Sequence, residues 1–151
     1  MRKSLAVLFS SIALLAVTGL PALAAPPLDV SIIAEETIPA STGGTFLASG
    51  GAVATGLICP AGTTSNVVGP AHGTTVVTFR VDKTFTCTDG SGTFTVRMNV
   101  RLDPVTGETE ASWRVVTGSG SYALLRGTGK LIGVPIVVGI SITDYYTGRL
   151  H

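Results

Sequence analysis

The sequence predicts an all-β fold, a single antiparallel β-barrel of about eight strands, preceded by a secretory signal peptide. Three observations carry this expectation. Beyond the N-terminal apolar run, no stretch repeats apolar residues at helical spacing over several turns, whereas alternation of apolar and polar residues recurs. Thr, Gly and Val are the commonest residues and only 13% of residues are charged, the usage of a β protein with many turns rather than of a disordered tail. Finally, glycines are spread through C-terminal segments that otherwise read as strands, where a sheet that coils to close needs bends and bulges.

At the N-terminus, Arg2 and Lys3 precede an apolar run over residues 5–17, then Gly19 and Pro21, then the small-residue tripeptide Ala22, Leu23, Ala24. This is the order of a signal peptide. The run has 13 residues and includes two serines, short of the roughly 20 apolar residues of a spanning helix. Pro26 would obstruct a cut after Ala25, which places cleavage after Ala24 and assigns residues 25–151 to the barrel domain. No cysteine follows the cut, so neither a lipid nor a helical membrane anchor is expected. The expected location is secreted and extracellular. Loss of Arg2 and Lys3 leaves eight basic residues against nine acidic ones, with no run of either sign. Nucleic-acid binding through phosphate neutralisation has no footing in that balance.

Along the chain, residues 29–38 and 52–58 read as strands separated by Ser41, Thr42, Gly43 and Gly44. Cys59, Pro60, Ala61, Gly62 and the Thr, Ser and Asn residues after them read as a longer loop. Residues 74–86 alternate with Val77, Phe79, Val81 and Phe85 inward, and the turn Asp89, Gly90, Ser91, Gly92 follows. The clearest strand spans residues 93–102, with Phe94, Val96, Met98, Val100 and Leu102 on one face and Thr95, Arg97, Asn99 and Arg101 on the other. A turn over Asp103, Pro104, Val105, Thr106 and Gly107 returns the chain as residues 108–117, with Ala111, Trp113 and Val115 inward. That register sets Arg101 near Glu108 and Glu110. In the last strand, Ile136, Val138, Ile140 and Ile142 alternate with Val137, Gly139, Ser141 and Thr143, which puts Asp144 and Tyr146 on the interior face.

Cys59 and Cys87 are the only cysteines. Export favours their pairing, and a closed loop of about 28 residues would add roughly 3–4 kcal/mol in the chain-entropy model. Two buried free thiols are the other reading. Neither cysteine has the His or Cys neighbours that zinc needs, so no metal and no cofactor is expected.

The stretch from Val116 to Leu131 places Gly118, Gly120, Tyr122, Gly127 and Gly129 in a G-x-G-x-Y-x-x-x-x-G-x-G pattern. It resembles the repeat of the allene oxide cyclase-like and dirigent-like barrels. More narrowly, residues 85–133, together with Tyr145, Tyr146, Thr147, Gly148 and Arg149, resemble a group of small secreted bacterial proteins of that barrel type. The resemblance covers the last half of the chain. It implies an eight-stranded antiparallel barrel with an apolar interior, and in relatives often a homo-oligomer. The polar residues with which such cyclases and dirigent proteins work have no position-by-position match here, so no catalytic residue carries over.

Asp144 is the candidate site residue of most interest, because an inward carboxylate must be hydrogen-bonded or paired and its pKa is then perturbed. Facing a cavity, Asp144 would serve as general acid or base and Tyr146 as a donor to a developing oxyanion. The competing reading turns Asp144 outward at a bulge, or bonds it at the rim to backbone or Arg126. Tyr122, Tyr145, Trp113 and Met98 are candidate pocket-lining groups, with core packing the competing role for Trp113 and Met98. His72 and His151 have no Ser, Cys or carboxylate partner at a recognisable offset. The glycines of residues 118–129 lack the Gly-Lys-Ser/Thr ending of a phosphate loop.

Three functions follow from a barrel of this size. The first is a binding module for a small apolar or aromatic molecule or a partner protein. The others are a dirigent-like or cyclase-like enzyme that orients a reactive intermediate, and a structural extracellular protein with a filled core. An entirely apolar pocket favours the first, a pocket with an inward Asp144 the second, and a packed interior the third.

Overall fold

A computed structural model describes residues 26–38 and 43–151. The expected signal peptide, residues 1–24, and the turn residues Ser41 and Thr42 lie outside the described residues. Eight strands alternate along the chain: β1 (Leu28–Thr37), β2 (Gly44–Ser49), β3 (Ala61–Val68), β4 (Val77–Cys87), β5 (Gly92–Leu102), β6 (Thr109–Gly120), β7 (Gly127–Val137) and β8 (Ser141–Leu150). Each pairs antiparallel with its neighbour in sequence, and β8 returns to β1 to close the barrel. The closing seam is continuous from Leu28 opposite Leu150 to Thr37 opposite Ser141, so no sheet edge is left unpaired there.

Alternation decides which side chains fill the barrel. Phe94, Val96, Met98 and Val100 of β5 are buried inside, while Asn99 and Arg101 face out. Strand β6 mirrors this with Trp113 and Val115 inside and Arg114 outside. Between them, the Asp103 carboxylate accepts the backbone N–H groups of Val105 and Thr106, and Gly107 takes φ +77° to end the turn. Arg101 lies opposite Glu110 and pairs with it at 2.9 Å. Also outside, Arg97 of β5 donates twice to Asp82 of β4, at 2.7 and 2.8 Å.

The structure corrects three readings. Residues 52–58 are not a strand: the one-turn helix α1 (Gly51–Ala54) and the turn after it pack on β1 and β2, burying Ala52 and Ile58. Apolar content there serves to plug an end of the barrel rather than to build its wall. The polar segment after Pro60 is not a loop but β3, whose inward positions Gly62, Thr64 and Asn66 carry no apolar side chain. The segment over residues 136–146 is not one strand either. It breaks at a hairpin turn over residues 138–140, where Gly139 takes φ +75°, and β7 is irregular between Pro135 and Val137. Ile136, Val138 and Ile140 are therefore exposed, whereas Ile142 is buried.

The two ends of the barrel differ. At one end Phe46, Phe85 and Phe94 pack ring against ring, Phe85 meeting Phe46 edge-on at 5.1 Å and Phe94 stacked at 4.9 Å, with Tyr122 edge-on to Phe94 at 5.7 Å. Each such ring, fully buried, contributes about 1.5–3 kcal/mol. This end is closed further by α1, Ile58, Leu125 and a disulfide joining Cys59 to Cys87, the last residue of β4. No helix among the described residues is long and apolar enough to cross a membrane.

Candidate functional site

At the opposite end the inward side chains are smaller, and the barrel is hollow. The strands that carry phenylalanines at the closed end present Val81 on β4 and Met98 and Val100 on β5 as they approach the open one. The result is a cavity of about 410 Å³, walled by Phe79, Val81, Met98, Val100, Leu131 and Ile142. Ile38 and Val68, also in its lining, are 42% and 45% exposed.

The floor of this apolar shaft is ionic. Lys83 of β4 extends across the lumen to strands on the far side, its stem buried among apolar neighbours. Its Nζ donates to Asp144 Oδ2 of β8 at 2.5 Å and lies 2.8 Å from Glu36 Oε1 of β1. The side chains of Lys83, Glu36 and Asp144 are 2%, 3% and 9% exposed. Charges this deep persist only with several partners, and β3 supplies them. Thr64 Oγ1 donates to Glu36 Oε1 at 2.8 Å, and Asn66 Nδ2 donates to Glu36 Oε2 at 2.9 Å. Tyr146 donates its phenol proton to Asp144 Oδ2 at 3.2 Å, and Lys83 Nζ sits 5.2 Å from the centre of its ring.

Local sequence makes room for the cluster. Gly133 faces inward on β7 opposite Asp144, and a Cβ there would fall 2.1 Å from Thr109 Oγ1 and 2.7 Å from Asp144 Oδ1. The carboxylate occupies the space that a side chain at position 133 would take.

Burial pushes the Asp144 carboxyl above its ordinary range. The neighbouring Glu36 charge pushes the same way, while Lys83 and the Tyr146 hydrogen bond oppose. Tyr146 is held well above the usual phenol value by burial and then by Asp144 and Glu36. It therefore remains a proton donor across the ordinary pH range. Among the described residues no group of three His, Cys, Asp or Glu side chains could hold a metal ion. Lys83 Nζ already stands between the two carboxylates.

Of the four candidate residues read from the sequence, the structure brings together Asp144 and Tyr146, both inward on β8. The partner of Asp144 is Lys83, not Arg126, which lies at the closed end and donates to the Leu125 carbonyl. Tyr122 does not reach the cavity. Its hydroxyl is 2.5 Å from Ser91 Oγ and 3.3 Å from Cys87 Sγ, at the closed end. Trp113 is buried in the wall, with Nε1 donating to the Lys130 carbonyl at 3.0 Å, and it is absent from the cavity lining. Met98 does line the cavity, whereas Tyr145 faces outward.

Sequence reasoning missed Glu36 and Lys83, although both were within its reach. Lys83 has the parity of Phe79, Val81 and Phe85, and Glu36 the parity of Val30, Ile32 and Ala34. A lysine and a glutamate in step with apolar residues on two strands signal a buried ion pair. Thr64 and Asn66 gave no such signal, because the inward face of β3 carries an apolar side chain only at its last residue, Val68.

No family model, curated protein or solved structure matches this chain.

Proposed function

We propose that this chain is an exported binding barrel that holds one small, mostly apolar molecule carrying a single polar head group. The body of the ligand lies in the apolar shaft and its head meets the ionic floor. One observation carries the reading: a cavity of about 410 Å³ with apolar walls narrows onto a buried Glu36–Lys83–Asp144 cluster. Concave, apolar and marked by a few convergent polar groups, it has the composition of small-molecule sites in general. Export rests on the signal-peptide pattern of residues 1–24 and agrees with a structural disulfide.

N-phenyl-1-naphthylamine, a fluorescent apolar probe, tests the reading. Its emission rises on titration with one molecule bound per barrel. Leu102→Trp, which places an indole at the half-buried edge of the lining, suppresses the rise, while Val105→Trp on the exposed turn leaves it intact. Equal binding by both variants overturns the reading.

A second reading, a dirigent-like or cyclase-like enzyme, is favoured by the inward Asp144 and its Tyr146 donor. Tyr146 and the carboxyl together would polarise an oxygen of a bound intermediate without a nucleophile. Native mass spectrometry of protein from its own host separates the two: a ligand retained unchanged supports binding, and conversion of that ligand on incubation supports catalysis.

A further inference from the structure

The charges on the cavity floor do not balance, and the geometry shows where the imbalance lies. With all groups ionised, Glu36 and Asp144 contribute two negative charges and Lys83 one positive. Among the described residues no other charged side chain lines the cavity. The residues facing the cluster are Thr64 and Asn66 from β3, Met98 and Val100 from β5, Thr109 from β6 and Leu131 and Gly133 from β7, none of them charged. Among the described residues, the other titratable group in contact with the cluster is the Tyr146 phenol, which is a donor. The short strand β2 turns Phe46 inward.

Hydrogen bonding is equally uneven. Both oxygens of Glu36 accept hydrogen bonds, Oε1 from Thr64 and Oε2 from Asn66, and the Lys83 ammonium lies 2.8 Å from Oε1 as an ion pair. In Asp144, Oδ2 accepts from both Lys83 and Tyr146, while Oδ1 accepts no hydrogen bond among the described residues. The unoccupied acceptor therefore belongs to a carboxylate on the cavity wall, in a cluster one positive charge short.

We propose that the head group selected by this cavity is a cation, a protonated primary amine on an apolar body, which donates to Asp144 Oδ1 and completes the charge of the floor. The proposal rests on the reading of the cavity as a small-molecule site and names the class of ligand. An ammonium supplies the missing charge and donates where an acceptor is vacant. An alcohol supplies only the hydrogen bond. A carboxylate adds a third negative charge to two already buried. Without ligand, the competing way to balance the floor is a proton on Asp144, so the amine and that proton exclude one another. Amine affinity accordingly rises with pH as Asp144 loses its proton, since an alkylammonium keeps its own charge throughout.

Calorimetric titration of the non-reduced protein with n-hexylammonium, hexan-1-ol and hexanoate provides the test. The three share one chain and differ only in the head. At about pH 7 the ammonium binds about tenfold or more tighter than either of the others. That preference shrinks as the pH falls and Asp144 takes up its proton. In Asp144→Asn the ammonium and the alcohol bind within about twofold of each other. Should that variant fail to fold, the pH series on the unaltered protein decides alone: an ammonium affinity that is flat or falls as the pH rises overturns the proposal. Hexanol or hexanoate binding as tightly as the ammonium at about pH 7 overturns it too, while leaving the cavity reading standing. If none of the three binds, the proposal fails, and N-phenyl-1-naphthylamine shows whether the cavity reading fails with it.

Discussion

Lys83 is the side chain on which the interior depends. It holds two carboxylates from β1 and β8 inside a barrel whose other inward groups are nearly all apolar. Removing one partner of a buried ionic cluster costs more than the cluster contributes, because the remaining charges lose their compensation but not their desolvation. Lys83→Met should therefore lower stability by about 3–5 kcal/mol near neutral pH, read from guanidinium denaturation. The deficit should shrink in acid. With Lys83 gone, burial and Glu36 act on Asp144 against the Tyr146 hydrogen bond alone, so it takes up a proton more readily, and that proton removes one uncompensated charge. In the unaltered protein the sign is the same but the effect smaller. Because the folded carboxyl titrates above its ordinary range, its contribution is greatest below about pH 3.9 and is lost as pH rises through the raised value. A Lys83→Met deficit that grows in acid would contradict this account of the floor. At this scale the sequence is readable where a charge breaks an apolar alternation, as at Asp144, Lys83 and Glu36. It is silent where a polar residue sits among polar neighbours, as Thr64 and Asn66 do.

Single strands succeed or fail as sequence signals according to what they face. Strands β4, β5 and β6 carry mostly apolar side chains on their inward faces, so alternation finds all three, with ends that differ by up to three residues from those observed. Strand β3 faces Glu36 with two polar side chains and the Phe46 ring with a glycine. A Cβ at Gly62 would lie 2.5 Å from Phe46 Cε1. Its inward positions before Val68 are thus polar or empty, and periodicity cannot find it. The β7–β8 hairpin hides for a different reason, since apolar residues continue through its exposed turn. Here glycines carry the structure. Gly129 and Gly148 lie opposite one another on β7 and β8, and a Cβ on either would approach Trp113 Cζ2 to 2.5 Å. The indole packs flat where two side chains are missing, and Gly129 also abuts the Thr147 carbonyl at 2.0 Å from its ideal Cβ. Gly129→Ala should cost about 1–3 kcal/mol through this overpacking and perturb Trp113 fluorescence. An unchanged denaturation midpoint would mean that β7 can shift to accept the methyl.

The molecule as a whole divides its labour between its ends. Aromatic rings, α1 and the Cys59–Cys87 disulfide close one end, and the cavity with its ionic floor occupies the other. The sequence separation of 28 between the cysteines gives the disulfide roughly 3–4 kcal/mol. Because that cross-link lies beyond the phenylalanine layer, stability and ligand binding should separate. Replacing both cysteines with serine should lower the denaturation midpoint yet leave the binding of N-phenyl-1-naphthylamine unchanged in conditions where the variant is folded. Loss of probe binding in the folded variant would show that the two ends are coupled. The closed antiparallel architecture was legible from alternation, turn chemistry and scattered glycines, because a barrel repeats one local rule around its circumference. Its asymmetry was not, because it depends on which layer of side chains is large and which is small, and strands contribute to both.

A barrel sealed at one end is a vessel rather than a conduit. On the binding reading proposed above, a guest would enter and leave at the end away from the phenylalanine layer, so the barrel would hold or present it rather than pass it through. The order of events is also set. If the binding proposal holds, with charges at the bottom and apolar walls above them, a guest would travel head first, shed the water of its polar group last, and keep its tail nearest the outside.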